Sequence, residues 1–492
     1  MTAAALRKNN KHRRREKMKV LFCTSEAYPF AMSGGLGDVS SALPAALRER
    51  VIGCRVVMPL YEDIKDEFRE KMTFIKSITV PVSWRRQYCG IFEAKHNGVT
   101  YYFIDNQYYF KRHGLYGYFD DAERFAFFSR AILEMLPVIG FYPDIIHCND
   151  WQTALVPTYL SLFYNHNPGY EKIKTVLTIH NIQYQGKYGM EVLEDVLGIP
   201  MDKKPLLEYG GDVNILKGGI ETAQMVTTVS PTYSREIMDP WFSHGLHDIL
   251  KLRSWKLHGI VNGIDTAVYD PQNDDMIYAP YSADDLKGKT ENKKQLQRDL
   301  SLPERDDVAV VGMVSRLVGH KGFDLVKYAF EELMQSEIQL VILGSGEWTF
   351  ESYFDEMAQK YPEKFALRTG FDISLAHKIY GGSDFFLMPS KSEPCGLSQM
   401  IALRYGAVPI VRETGGLKDT ITDCGNAGGN GFTFKTYNAG DMTAALYRGL
   451  SMYYDDRKKF AALQKRAMEC DNSWKRSAGE YIRLYRSLIK QQ

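Results

Sequence analysis

Lys19-Val20-Leu21-Phe22-Cys23-Thr24 leads to the glycine-rich turn Ser33-Gly34-Gly35-Leu36-Gly37, and a helix-like stretch from Asp38 to Arg50 follows. An apolar run, a glycine turn and a helix in that order open a nucleotide-type α/β unit. Pro44 interrupts the helical pattern, so a kink or an early end is expected there. Further apolar runs at 55–58, 101–104, 144–147 and 175–179 read as strands, with helix-like stretches at 122–138 and 151–163. Alternation of this kind predicts a parallel sheet. Residues 73–95 read instead as consecutive strands, a hairpin added at the sheet edge.

After the turn-rich Val261-Asn262-Gly263-Ile264-Asp265 and a polar stretch to Asp307, the pattern restarts at Val308-Ala309-Val310-Val311-Gly312-Met313-Val314. Strand-like runs at 339–343, 384–388 and 407–411 each lead into a turn and a helix-like segment. The second lobe is therefore also expected to be doubly wound α/β. In such sheets ligands bind at the carboxyl ends of the strands, so two lobes in tandem predict a shared cleft walled by strand-end loops. No repeat relates the lobes.

A chain of 492 residues exceeds one core, since domains hold about 100–200 residues. The 61 Lys and Arg against 60 Asp and Glu leave a net charge of +1, with no global field for nucleic acid or an anionic membrane. The run Arg7-Lys8-Asn9-Asn10-Lys11-His12-Arg13-Arg14-Arg15 is the exception, and it reads as a solvated, disordered tail over residues 1–17. No apolar run of about 18 residues occurs and no signal-peptide pattern precedes Met18, so a cytoplasmic protein is expected. Seven scattered cysteines without a CxxC pair argue for buried thiols over a disulfide framework or a zinc site.

The Ser33–Asp38 loop has neither the GxGxxG fingerprint nor the Walker lysine, which argues against NAD binding and phosphate cleavage. Its glycines permit close backbone approach, and the helix start behind them offers N–H groups. On its own it reads equally as a tight turn or as a ligand loop. In the second lobe, Ser315-Arg316-Leu317-Val318-Gly319-His320-Lys321-Gly322 places two cations after a buried strand. Such charges suit a departing diphosphate, and the alternative is two solvated surface cations. Pro389-Ser390-Lys391-Ser392-Glu393-Pro394-Cys395-Gly396-Leu397-Ser398 ends another strand and sets a carboxylate beside a helix start, and Thr414-Gly415-Gly416-Leu417 repeats the device. Three such loops in one lobe favour a diphosphate site. Asn149-Asp150-Trp151 and His180-Asn181 lie at strand ends of the first lobe.

Together these segments resemble the bacterial glycogen synthase and plant starch synthase family. The matching stretches are S-G-G-L-G-D at 33–38, H-C-N-D-W at 147–151, T-I-H-N-I-Q-Y-Q-G at 178–186, S-P-T-Y at 230–233 and V-N-G-I-D at 261–265, then S-R-L-V-G-H-K-G at 315–322, P-S-K-S-E-P-C-G-L-S-Q at 389–399 and T-G-G-L-K-D-T at 414–420. The resemblance implies the GT-B fold of two Rossmann-like domains, 18–258 and 259–472, with a final helix in 473–492 crossing back onto the first. It implies retaining transfer of glucose from ADP-glucose to the non-reducing end of an α-1,4-glucan. By that likeness Arg316 and Lys321 hold the diphosphate, Glu393 contacts the donor glucose, and His180 and Asp150 work from the first lobe. The donor-binding set is Ser33, Gly34, Gly35, Asp38, Asn262, Cys395, Gly396, Leu397, Thr414, Gly415 and Gly416, and Glu26, Tyr184 and Gln185 lie on the acceptor side. No DxD occurs, so no metal and no cofactor is expected.

One departure bears on function. Family members commonly open the first glycine loop with K-x-G-G-L, whereas Met32 stands at the lysine position here. That substitution motivates the alternative of a non-catalytic glucan-binding homologue. A glutamate eight positions after the first, common in wider retaining GT-B enzymes, is replaced by Ile401, in keeping with the synthases. No segment matches the pyridoxal-phosphate lysine of glucan phosphorylase. The 31 tyrosines are expected to include glucan-stacking platforms.

Overall fold

The computed structural model describes residues 18–50 and 52–490, so the basic tail at 1–17 lies outside the described residues. The chain forms two compact units. The first runs through Thr228 and adds Ile237–His258 and the residues from Ser477 onward, and the second comprises Val229–Glu236 and Gly259–Arg476.

In the first unit, strands β1 (Lys19–Cys23), β2 (Gly53–Pro59), β3 (Thr73–Val82), β4 (Arg85–His96), β5 (Val99–Asp105), β6 (Ile145–Asn149), β7 (Lys174–Ile179), β8 (Met225–Thr228) and β9 (Leu257–Gly259) build one sheet. Their order is β9-β8-β7-β6-β1-β2-β5-β4-β3. The pairs from β8 through β7, β6, β1 and β2 to β5 are parallel, and β3 and β4 add antiparallel strands at the edge, which is the expected hairpin. The central strands are buried on both faces, hence their nearly unbroken apolar runs. Chain order reverses between β6 and β1, so the loops after these two strands flank the switch point where doubly wound sheets take ligands.

The second unit holds β10 (Ala309–Val314), β11 (Ile338–Leu343), β12 (Phe365–Arg368), β13 (Phe385–Met388), β14 (Val408–Arg412) and β15 (Phe432–Phe434), all parallel, in the order β12-β11-β10-β13-β14-β15. This is the 3-2-1-4-5-6 order of a nucleotide-binding sheet, with its switch point between β10 and β13. The helix Phe323–Gln335 shows how sequence drives the packing: Phe323, Val326, Phe330 and Leu333 recur at helical spacing and enter the sheet core.

Several expectations are corrected. The first helix starts earlier, at Gly35, and runs through buried Pro44 to Glu49 without ending there. The stretch 151–163 is not one helix: a 3-10 turn at Trp151–Thr153 is followed by an α-helix at Leu155–Tyr159 and a π-turn at Leu160–Tyr164. Val229–Glu236, read as part of the first domain, belongs to the second unit, because the Asp419 carboxylate accepts the Thr232 N–H at 2.8 Å and hydroxyl at 2.7 Å. The final helix, Trp474–Lys490, begins in the second unit, where the Gly263 backbone packs on Trp474, and its residues from Ser477 belong to the first.

Within the first unit that helix is locked by His147 of β6, which is fully buried between the Tyr485 hydroxyl (Nδ1, 2.6 Å) and Thr178 Oγ1 (Nε2, 2.6 Å). Burial, aided by the nearby His180, pushes the His147 pKa down to about 3, so the ring is neutral and serves as a hydrogen-bonding rivet.

Candidate functional site

In the first unit, the loops after β1, β6 and β7 bring Glu26, Asp150 and His180 to the carboxyl edge of the sheet. Asp150 adopts φ 55° and ψ −175°, a region that non-glycine residues rarely enter and that stores about 1–3 kcal/mol of strain. Its carboxylate is held there by the backbone N–H groups of His180 (2.7 Å) and Asn181 (3.5 Å), both donating to Oδ1. No hydrogen bond to Oδ2 is found among the described residues. Burial pushes Asp150 up to about 7, against those two N–H groups, and the Glu26 charge adds to the rise.

The protonation pattern of His180 follows from its neighbour. Asn149 Nδ2 donates to the Cys23 carbonyl at 2.9 Å, which leaves Asn149 Oδ1 as the acceptor facing His180 Nε2 at 2.9 Å. The proton therefore sits on Nε2, and Nδ1 presents a lone pair with no hydrogen bond among the described residues. Burial lowers the His180 pKa to about 3, so this ring is a neutral acceptor.

Glu26 is 3% exposed and accepts both the Ser33 N–H (2.6 Å) and the Ser33 hydroxyl (2.8 Å) on Oε2. It braces the glycine loop from behind. Burial raises it to about 7, offset in part by those bonds. The helix start at Gly35 takes no side-chain cap, and the glycine loop is exposed at Ser33, Gly34 and Gly35, while the Met32 side chain covers Gly37. Asp38 lies close enough to raise the Glu26 pKa further.

Tyr184 and Gln185, both expected on the acceptor side, part company. Tyr184 is half exposed and joins Trp151, Lys187, Tyr188 and His244 around a pocket of ≈ 450 Å³. Gln185 is buried, donating to the carbonyls of Ile182 (2.9 Å) and His244 (3.1 Å) and accepting from Asn214 Nδ2 (2.8 Å). Its polar groups are consumed by the protein.

In the second unit, the loops after β10 and β13 flank the switch point, and one pair joins them. Lys321 Nζ donates to Glu393 Oε2 at 2.6 Å, and Ser390 Oγ donates to the same oxygen at 3.1 Å. Glu393 is 5% exposed, and its Oε1 accepts no hydrogen bond among the described residues. The Arg316 side chain is exposed and makes neither a hydrogen bond nor an ion pair among them. His320 lies between these cations; burial first, then Lys321, lowers its pKa.

The loops pack backbone on backbone. Gly322, at φ 84°, lies on the Pro389 carbonyl, and Lys391 N–H donates to the His320 carbonyl at 2.9 Å. A side chain at Gly322 would collide with that carbonyl, and its φ favours glycine. Arg412 fastens the Glu393 loop by donating Nε to the Ser390 carbonyl at 2.8 Å and Nη2 to the Lys391 carbonyl. Beyond Glu393 the backbone turns at Gly396 (φ 71°), and the N–H groups of Gly396 and Leu397 donate to nothing among the described residues.

Five expected donor-site residues, Thr414, Gly415, Gly416, Asn262 and Cys395, are engaged within the protein. Thr414 is fully buried, and its hydroxyl (3.0 Å) and the Gly415 N–H (3.1 Å) donate to the Glu236 carboxylate. Gly416 N–H donates to the carbonyls of Glu393 and Pro394, each at 3.1 Å. This loop is therefore a buttress beneath Glu393 whose donors are already taken. Asn262 and Cys395 are buried together, the Asn262 N–H donating to the sulfur, and burial pushes the Cys395 thiol up to about 12. Asn262 Oδ1 is buried and accepts no hydrogen bond among the described residues. Glu236 and Arg412 escape a sequence reading, since neither stands in a glycine loop and only the fold brings them to Glu393. Among the described residues, no group of three or more His, Cys, Asp or Glu side chains is placed to hold a metal ion, and no helix is long and apolar enough to cross a membrane.

Comparison with known proteins agrees with this geometry. Residues 19–252 match the starch synthase catalytic domain family, and residues 294–467 match glycosyl transferases group 1. The chain is 50% identical to glycogen synthases from Geobacillus thermodenitrificans (96% of this chain, 99% of the relative) and Alkaliphilus metalliredigens (96% and 100%). Among solved structures, the catalytic domain of starch synthase IV from Arabidopsis thaliana bound to ADP and acarbose is 34% identical, with TM-score 0.90 over 96% of this chain and 100% of that one. A sucrose-phosphate synthase from Thermosynechococcus elongatus, 17% identical with TM-score 0.61 over 97% and 100%, shares the fold. The two parallel-sheet units are those of the GT-B fold, and the chain belongs to the glycogen synthase and starch synthase family of glycosyltransferases.

Proposed function

We propose that the protein transfers glucose from ADP-glucose to the non-reducing end of an α-1,4-glucan with retention of configuration. The observation that carries this reading is the Lys321–Glu393 pair across the switch point of the second unit, beside an unpaired Arg316 and the open N–H groups of Gly396 and Leu397. Arg316, Lys321 and the two N–H groups suit a diphosphate, and no metal or cofactor is assigned a part. Glu393 Oε1 is left to accept hydroxyls of the donor glucose.

The chemistry balances without a protein nucleophile. The bond from C1 to the β-phosphate oxygen breaks, the bond from C1 to the acceptor O4 forms on the same face, and the acceptor proton passes to the departing phosphate. Rate then comes from positioning and from stabilising the charge that grows on the diphosphate. Asp150 Oδ2 and His180 Nδ1 are acceptors suited to sugar hydroxyls, and the pocket walled by Trp151, Tyr184 and Tyr188 suits a glucan acceptor, whose sugar faces stack on aromatic rings.

The test is competition between ADP-glucose and UDP-glucose with glycogen as acceptor, with the new linkage read by proton NMR. Preferential use of ADP-glucose and an α-linkage are expected. A β-linkage, or preference for UDP-glucose, contradicts the proposal.

A further inference from the structure

The helices Pro231–Glu236 and Gly415–Thr420 hold each other through two carboxylates. Glu236, the last residue of the first helix, accepts the Thr414 hydroxyl at 3.0 Å and the Gly415 N–H at 3.1 Å, at the start of the second. Asp419, near the end of the second, accepts the Thr232 N–H at 2.8 Å and hydroxyl at 2.7 Å, at the start of the first. Each helix thus satisfies N–H groups that the other leaves without an intrahelical partner.

The loop caught in this clasp carries the backbone of Glu393. Gly415, at φ 44°, lies directly against the Glu393 carbonyl, and the Gly416 N–H donates to that carbonyl and to that of Pro394. Glu236 therefore connects to Glu393 through the backbone of Gly415 and Gly416, without touching the Glu393 side chain.

We propose that Glu236 and Asp419 are positioning residues for Glu393: their reciprocal clasp fixes the Thr414–Gly416 loop, and that loop sets the height at which Glu393 meets the donor sugar. This rests on the donor role of Glu393 proposed above. A side chain held 1 Å from its working position loses catalysis steeply, because the contact counts most in the transition state. Arg316 stands on another loop, to which the Thr414–Gly416 backbone makes no hydrogen bond among the described residues, whereas the Gly416 backbone also lies against the Cys395 carbonyl beside Gly396. Loss of the clasp should therefore lower turnover more than it lowers the affinity for ADP, which carries no glucose and keeps its contact with Arg316.

The experiment compares Glu236→Ala, Glu236→Gln and Thr232→Val with the unmodified protein, measuring kcat for ADP-glucose with glycogen and the affinity for ADP by calorimetry. Glu236→Ala is expected to lower kcat at least tenfold, with ADP affinity falling by a clearly smaller factor, no more than about threefold. Glu236→Gln, whose amide oxygen still accepts from Thr414 and Gly415, should recover most of the loss. Thr232→Val, which strips one bond from Asp419 and lies away from the loop, should show the same split on a smaller scale and serves if Glu236→Ala does not fold. Parallel loss of ADP affinity and kcat, or equal activity of the Ala variant and the unmodified protein, overturns the proposal. If the unmodified protein binds ADP-glucose and releases no ADP, the proposed function fails instead, and the clasp is then read from the ratio of ADP-glucose to ADP affinity, which Glu236→Ala should lower and Glu236→Gln should restore.

Discussion

Lys321 Nζ and Glu393 Oε2 stand 2.6 Å apart across the switch point of the second sheet, whereas Arg316, five residues before Lys321, has no partner among the described residues. The two cations have different tasks. Lys321 neutralises and orients a buried carboxylate, and Arg316 is free to meet a ligand. Arg316→Ala is expected to lower kcat by about 10²–10³ with the thermal midpoint unchanged. Lys321→Ala should lower both, because it strands Glu393 without its cation, at a cost of about 1–3 kcal/mol. Kinetics and melting curves on the same preparations check this, and equal stability losses would contradict the division.

Glu26 and Asp150 give the protein a specific pH dependence. Burial raises both folded-state pKa values to about 7, from 4.5 and 3.8. Between those values and 7 the folded state holds protons that the unfolded chain has released, so their contribution is largest at low pH and is lost as pH rises toward 7. Asp150→Asn removes one of these groups and keeps an acceptor for the His180 N–H. Its unfolding free energy in urea should fall less than that of the unmodified protein between about pH 5 and pH 8, by an amount on the order of 1–3 kcal/mol. Parallel curves would mean that Asp150 is not raised.

Met32 packs over Gly37, leaving the glycine loop without the family's lysine. Since Arg316, Lys321 and the open N–H groups already face the diphosphate in the proposed site, Met32→Lys should change kcat/KM for ADP-glucose by less than about twofold, well under the 1.4 kcal/mol that a tenfold gain represents. A tenfold gain would show that the missing charge still limits this enzyme.

The sequence order strand, glycine turn, helix predicts both sheets, because buried parallel strands are written as short apolar runs and their turns as glycines. The edge hairpin at 73–95 was legible for a different reason, as two adjoining strand-like runs with no helix-like segment between them. The passage of Val229–Glu236 into the second unit was not, since it depends on Asp419 and Glu236 meeting partners some 180 residues away in the chain. The loops carrying Glu393, Arg316, Asp150 and His180 were legible as strand ends, but the pairing within them was not. Thr414, Gly415 and Gln185 carry the family's letters, and their donors and acceptors are nevertheless spent inside the protein.

His147 illustrates the same limit, for it stands in the H-C-N-D-W stretch yet acts as a rivet. Tyr485→Phe leaves its buried Nδ1 without a partner and should cost about 1–2 kcal/mol in urea unfolding. No loss would mean the contact contributes nothing to holding the final helix.

The central claim is that this protein is a working ADP-glucose-dependent glucosyltransferase despite Met32. Incubation with ADP-glucose and glycogen, with ADP release followed against glucose incorporation, tests it most directly. One ADP released for each glucose added to the non-reducing ends is the expected result. Glucan binding with no release of ADP would contradict the account and favour a non-catalytic glucan-binding protein.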